Sequence, residues 1–345
     1  VTYIFDPSKQ GIIHALELRG GPAQEFWRQA YDARKKNSDK IYLRGLIEFS
    51  NICAKDCYYC GIRKSNNLLH RFSLEKEEVL RAAARAHAER MGSVTLQSGE
   101  ICAPEFTAFV EDLVKTIRRN FDLKIVLSCG EQSFETYRVW KNAGADRYLL
   151  KIETSSPRLY AKLHPDDANH SLANRIRCLE DLKKLGYQTG SGIMAGLPKQ
   201  TLSDIAGDLL FFKETDVDMC GMGTYIEHSQ TPLYESREEV PSYENRLYMT
   251  LNAIAALRLL MPDINIAAAT SLDALSPRGK ELAVSAGANV IMLNLTPQQN
   301  RPDYKLYERP QETLDKNILE ELKKYGENVA YGQGGDSERF TARKK

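Results

Sequence analysis

IYLRGLIEFS (41–50), SLEKEEVLRAAARAHAERMG (73–92) and SVTLQSG (93–99) follow one another as a β-rich run, a helical pattern and a second β-rich run. The outer two are rich in branched and aromatic residues, which fit a pleated surface. The middle one opens on Ser with an acidic first turn and stops at Gly92, a helix start and a helix stop. The alternation then repeats. Further β-rich runs are KIVLSCG (124–130), RYLLKIE (147–153), YQTGSGIMAG (187–196), MCGMGTYI (219–226), NIAAAT (265–270) and NVIMLN (289–294), eight in all. Helical patterns at 103–119, 133–144, 172–186, 201–214 and 243–261 lie between them. Gly92, Gly144, Gly186 and Gly287 stand where a left-handed C-cap is wanted. Repeated strand–helix units imply parallel strands joined by right-handed crossovers. Eight of them imply an α/β fold of the (β/α)8 TIM-barrel type, with a doubly wound open sheet as the alternative.

Outward from that repeat, residues 1–40 read as an N-terminal helical extension, 41–300 as the barrel in one domain, and 301–345 as a C-terminal segment covering it. The chain has 345 residues, and its 47 Lys+Arg against 46 Asp+Glu leave a net charge of +1. Near-neutrality gives no bulk attraction to nucleic acid or anionic lipid. No apolar run reaches the roughly 18–20 residues that span a bilayer, so neither nucleic acid nor membrane is an expected partner. The start, VTYIFDPSKQG, has no basic or long apolar region and reads as no secretory signal. Its first residue, Val1, suggests that an initiator Met or a few residues precede it. Seven cysteines, three of them crowded together, point to a reducing cytoplasm and a metal site rather than a disulfide framework.

The crowded three are Cys53-Ala-Lys-Asp-Cys57-Tyr-Tyr-Cys60, starting three residues after the first β-rich run. That is the end of a barrel where active sites lie. Three thiolates in one loop can converge on one soft metal centre. Structural zinc is closed by four ligands, usually in two separated pairs, and no second C-x-x-C stands in the chain. Three cysteines on a cubane cluster leave a fourth iron open to a small ligand carrying an amine and a carboxylate. Zinc with a distant fourth ligand, or three unrelated thiols, are the competing readings.

The spacing C-x3-C-x2-C, with an aromatic residue (Tyr59) before the last cysteine, resembles the signature of the radical S-adenosylmethionine (SAM) superfamily. The resemblance implies a [4Fe–4S] cluster on Cys53, Cys57 and Cys60. It also implies SAM on the open iron, its reductive cleavage to a 5′-deoxyadenosyl radical, and attack on a substrate inside the barrel. Gln97-Ser98-Gly99-Glu100 resembles the family's Gly-Gly-Glu element, which receives the SAM amino group. Glu153 stands where the family places a polar SAM contact, and Arg175 can pair with the SAM carboxylate. Gly192-Ile193-Met194-Ala195-Gly196-Leu197-Pro198 is similar to the stretch that lies against adenine, which brings in Met194 and Leu197. An electron donor such as a ferredoxin or flavodoxin is implied as partner.

Substrate contacts are sought at Ser128, Arg147, Thr270 and Asn294, near strand ends, and at Tyr304 after the last strand. Each also has an ordinary reading: loop hydrogen bonding, packing or, for Arg147, an outer-face ion pair with Asp146. No residue stands out as catalytic. Cys129 reads as a small buried hydrophobe. YGQGGDS (331–337) lacks the Lys-Ser/Thr ending of a phosphate loop and reads as a flexible segment.

IEFSNICAKDCYYCGIRKSN, TLQSGE, SCGE, WKNAGADRYLLKIETSSP, LGYQTGSGIMAGLP, DLLFFKETDVDMCGMGTYIEHSQTPL and AGANVIMLNLTP more narrowly resemble the [FeFe]-hydrogenase maturase family HydE. That family stands in one broad group with biotin synthase and methylornithine synthase. The resemblance implies assembly of a hydrogenase's dinuclear iron site, beside other maturases, from an organometallic substrate, a cysteine-bound iron carbonyl cyanide. A biotin-synthase-like or methylornithine-synthase-like reaction on an amino acid or thiol-containing small molecule is the rival reading, and a non-catalytic metal-binding barrel a second. Lys151, Ile152 and Ile101 stand where the maturases usually carry Arg, His and Asp. No cysteine follows Cys220, so the second cluster of some members is not expected.

Overall fold

The computed structural model describes residues 3–308 and 315–344. The ends of both flanking segments and part of the C-terminal one (1–2, 309–314 and 345) lie outside the described residues. Eight parallel strands form the core: β1 (Lys40–Ser50), β2 (Ser93–Ser98), β3 (Lys124–Ser128), β4 (Arg147–Leu149), β5 (Gln188–Ala195), β6 (Met219–Thr224), β7 (Asn265–Ala268) and β8 (Val290–Asn294). They pair in chain order, and β1 joins both β8 and β2, which closes the barrel. Arg44 stands opposite Ser93 on one side of β1, and Leu46 opposite Asn294 on the other.

The helices form where their caps place them. Ser133, Ser171, Thr201 and Ser242 each accept the N–H three residues ahead, from Thr136, Asn174, Asp204 and Asn245. The helix expected at 73 starts at Lys76 instead, on a Glu75/Glu78 capping box, because Ser73 is bridged to Ser50 of β1. Gly92 differs from the other three helix-stop glycines. Arg90 takes the left-handed turn there, with φ 55°, and a Cβ on Gly92 would stand 1.8 Å from the Gln333 carbonyl oxygen. Close backbone approach, not turn geometry, is what requires glycine at that position.

β4 is shorter than its sequence run. Ile152 donates its N–H to the Ser191 hydroxyl at 3.1 Å, which interrupts the ladder, and Glu153 beyond it sits in the left-handed region at φ 62°. The helix Tyr243–Leu260 is buried nearly all round, as a helix apolar on every face must be. Two N-terminal helices, Lys9–Glu17 and Gly20–Asn37, cover what would be its solvent side. The Trp27 indole donates to Asn252 at 2.7 Å, and the Asn252 amide donates to the Leu18 carbonyl at 3.0 Å.

Inward-facing positions alternate along each strand. In a (β/α)8 barrel they are usually filled by layers of branched side chains. Here β6 turns Gly221 and Gly223 to the interior, and β7 and its extension turn Ala267 and Ala269. The result is a cavity of about 310 Å³ running down the barrel, lined near its floor by Arg44, Met219, Asn265 and Val290.

The stretch 331–337, expected to be flexible, crosses the N-terminal end of the barrel. It follows a short ninth strand, β9 (Asn328–Ala330), which pairs with the first residues of β1. Asn265 donates to the Gly335 carbonyl at 2.7 Å, and Ser337 caps the last helix, Glu338–Arg343. Arg147 is fully buried at 0% exposure and points inward below the cavity, so it is not among the lining residues. Its Nη2 donates to Asp336 at 2.8 Å. Asp146, the partner weighed from sequence, pairs with Arg118. A buried Arg34–Glu327 pair at 2.8 Å ties the N-terminal helices to the segment before β9. No helix among the described residues is long and apolar enough to cross a membrane.

Removing Asp336 leaves a buried guanidinium without its carboxylate. Asp336→Ala is expected to lower the unfolding free energy by about 2–3 kcal/mol in urea denaturation. Burial raises the Asp336 carboxyl, but the bond to Arg147 and its charge outweigh that and hold it below the usual value. The stabilisation is therefore complete above the unfolded carboxyl value of about 4 and fades as pH falls through the lower folded one. The gap between wild type and Asp336→Ala should narrow below about pH 4. A gap that stays constant down to pH 2 would contradict the pairing.

Candidate functional site

All three crowded cysteines open on the upper end of the cavity and are free thiols. Their loop runs from the end of β1 across the end of β2. Gly99 makes that crossing possible, since a Cβ there would lie 2.2 Å from the Ile52 carbonyl oxygen and 2.7 Å from the Cys53 Cβ. The Glu100 N–H donates to the Cys53 sulfur at 3.3 Å. Burial pushes the Cys57 thiol up to about 12, with Cys53 adding to it, and raises Cys53 and Cys60 as well. Such thiols become ligands when a metal displaces their protons. Among the described residues no three His, Cys, Asp or Glu are grouped to hold a single ion.

Beside Cys53 lies a network of four buried charges. The Lys55 ammonium is 3.2 Å from Glu100 and 3.3 Å from Glu131. Arg175 reaches in from the helix Leu172–Lys184, donating to Glu131 at 2.7 Å and to the Lys151 carbonyl at 2.9 Å. Glu100 accepts the Glu131 N–H at 2.7 Å, and Asn174 also bonds Glu131. Burial raises Glu131, but Arg175 and Lys55 outweigh it and hold the carboxyl low; for Glu100 burial wins and the carboxyl is raised. Glu153, held in its left-handed conformation, pairs with Lys151 at 3.0 Å.

The cavity gathers most of the residues selected from sequence. Tyr59, Ser98, Gly99, Glu100, Glu153, Arg175 and Met194 line its upper half, and Ser128, Thr270 and Tyr304 line it as well. Thr270 hydrogen-bonds the Tyr307 hydroxyl at 2.9 Å. Three residues stand elsewhere. Leu197 packs behind Met194 in a small apolar cluster with Leu159, Leu163 and Tyr225. Asn294 donates to Glu48 at 3.1 Å in the wall, off the lining. Arg147 lies at the floor, as described.

Sequence reasoning missed Lys55, Glu131, Arg44 and Glu48. Lys55 stands inside the cysteine spacing and Glu131 inside the quoted SCGE, so both were in view without a partner to mark them. Arg44 and Glu48 share the inward face of β1 with Leu46. Period-two alternation would have found them once the direction of the strand was known.

A profile of the Radical SAM superfamily matches residues 47–212. The [FeFe] hydrogenase maturase subunit HydE of Thermotoga maritima is 44% identical over 275 residues, covering 79% of this chain and 76% of that protein. A 3-methylornithine synthase of Methanosarcina acetivorans is 27% identical over 307 residues, covering 87% and 84%. The crystal structure of a methylornithine synthase superposes with a TM-score of 0.80 at 23% identity, over 94% of this chain and 95% of that one.

Glu131→Ala strands the buried Arg175 guanidinium and takes one of its two carboxylates from Lys55, and is expected to cost about 3–5 kcal/mol of unfolding free energy. Glu135→Gln, which breaks an exposed pair with Arg138, should change it by under about 1 kcal/mol. Equal effects in chemical denaturation would show that the network contributes no more than a surface pair.

Proposed function

Because the chain belongs to the radical SAM superfamily, as a HydE-like radical SAM enzyme, we propose that it holds a [4Fe–4S] cluster on Cys53, Cys57 and Cys60. SAM binds beside the cluster at the upper end of the barrel, and a small-molecule substrate binds below. One observation carries this reading: three free thiols of a single loop open on the same cavity as Glu100, Glu153, Arg175 and Met194. The donor set fits the cofactors. Soft sulfur suits iron, and the glycine at 99 lets the cysteine loop lie close against the end of β2. When bound, the cluster supplies one electron and SAM the 5′-deoxyadenosyl radical.

The protein's own groups bind, orient and exclude water. The Glu100 N–H holds the Cys53 sulfur, and hydrogen bonds of this kind tune a cluster's potential. Glu100 and Glu153 offer carboxylates to the amine and hydroxyl groups of SAM, while Tyr59 and Met194 offer an apolar wall. Tyr304, Leu306 and Tyr307 line the mouth and give it apolar surface. At the floor, Arg44 donates to the Ser93 hydroxyl at 3.2 Å and to the Met219 sulfur at 3.8 Å, and among the described residues no carboxylate is bonded to it. Burial pushes it down to about 9, with the charge of Arg147 adding to the effect. A buried cation so placed favours a substrate that carries a negative group.

The resemblance to HydE extends the proposal to [FeFe]-hydrogenase maturation, with an organometallic substrate and a small redox protein as electron donor. After anaerobic reconstitution with iron and sulfide, SAM and dithionite are expected to yield 5′-deoxyadenosine and methionine. Changing any one of Cys53, Cys57 or Cys60 to Ala should reduce that yield to background. No cleavage under any reducing condition would refute the reading. Complementation of a maturase-deficient hydrogenase host tests the narrower assignment.

A Cβ on Gly221 would meet nothing within 4 Å, although the residue faces the cavity. Gly221→Leu is therefore expected to fill substrate space. Hydrogenase maturation should be lost in the complementation assay while substrate-free SAM cleavage persists. Loss of both activities together would show that the SAM site extends to β6.

A further inference from the structure

A loop that turns its sulfurs inward must find acceptors elsewhere for its peptide N–H groups. Ala54 donates to the Glu100 carbonyl at 2.8 Å and Tyr58 to the Leu163 carbonyl at 2.9 Å. Asp56, midway between them, donates instead to a side chain, the Nε2 of His170, at 2.9 Å. The His170 ring is buried, and its Nδ1 lies 2.7 Å from the Asp167 carboxylate. That carboxylate accepts the Nδ1 proton and leaves the Nε2 lone pair to the Asp56 amide, which assigns the tautomer. The Asn169 carbonyl of the same turn accepts the Lys55 ammonium. The short turn Ala168–His170 thus grips the cysteine loop at two successive residues between Cys53 and Cys57.

We propose that His170, oriented by Asp167, is a positioning residue for the cluster. It fixes the peptide between the first two cysteines so that both sulfurs are held at the spacing a cubane requires. The pair touches neither thiol and acts through the Asp56 amide. The proposal rests on the radical SAM reading and adds to it a support that lies outside the cysteine motif. Groups that orient metal ligands typically change metal affinity by about 10–100-fold when removed.

The test uses the anaerobically reconstituted holoenzyme. Two signals are read: the rate of iron release to a ferrous chelator, and the electron paramagnetic resonance spectrum of the reduced cluster before and after adding SAM. His170→Leu is expected to release iron about tenfold faster than wild type and to broaden the spectrum. His170→Gln places an amide oxygen near the Nε2 position and should return both signals close to wild type. Asp167→Ala frees the ring to rotate and should fall between them; it carries the test if His170→Leu does not fold. Equal iron release from wild type and the leucine variant overturns the proposal. So does a glutamine variant as impaired as the leucine one, since ring packing rather than an acceptor would then be at work. A wild type that loads no cluster overturns the radical SAM reading, and this inference with it.

Discussion

Two carboxylates and two cations, nearly dry, hold the upper end of this barrel together. Lys55 comes from the cysteine loop, Glu100 from the end of β2, Glu131 from the end of β3, and Arg175 from the helix just before β5. Taking four charges out of water costs several kcal/mol each, and only mutual pairing with further hydrogen bonds offsets it. The pairing is geometrically strict, so four separate segments of the chain arrive in one arrangement or the network fails. The Cys53 sulfur sits against the backbone of Glu100, so the network that fixes the strand ends also fixes the first thiol. Through the same residues the site inherits a polar, water-poor environment in which hydrogen bonds to sulfur and to ligand carry more weight than they would in solvent.

The barrel beneath is hollow at the expense of its own packing. Glycine and alanine on the inward faces of β6 and β7 give up the layered side chains that usually fill this fold. The lost apolar burial is replaced on the outside, where the N-terminal helices cover Tyr243–Leu260. The N-terminal end is stopped by the 331–337 stretch, which places Asp336 against Arg147 and its backbone against Gly92 and Asn265. The cavity is therefore closed below by a separate segment of chain and open above. This gives a cofactor access from one direction while water is kept out from the other.

The strands, most helix starts and the cysteine loop were legible because each is a local pattern: an apolar run, a capping hydroxyl, a fixed spacing of thiols. The misreadings share one cause. Ser73 looked like a cap until β1 took it as a bridge partner. Gly92 looked like a turn until the C-terminal segment needed its missing side chain. Arg147 was weighed against Asp146, its neighbour in sequence, when its partner lay 189 positions away at Asp336. His170 carried no motif at all, since its role depends on an amide brought to it by folding.

By itself the sequence determined that strands and helices alternate, that three thiols share one loop near the end of the first strand, and that a Gly-Glu pair and a second carboxylate stand at later strand ends. These are consequences of backbone preference and covalent spacing, and they need no long-range information. Only the tertiary structure decided that the sheet closes, which side chains face the interior, and how the buried charges pair. Closure and register are set by contacts between segments tens to hundreds of residues apart. The worth of a buried charge depends wholly on which opposite charge is brought beside it.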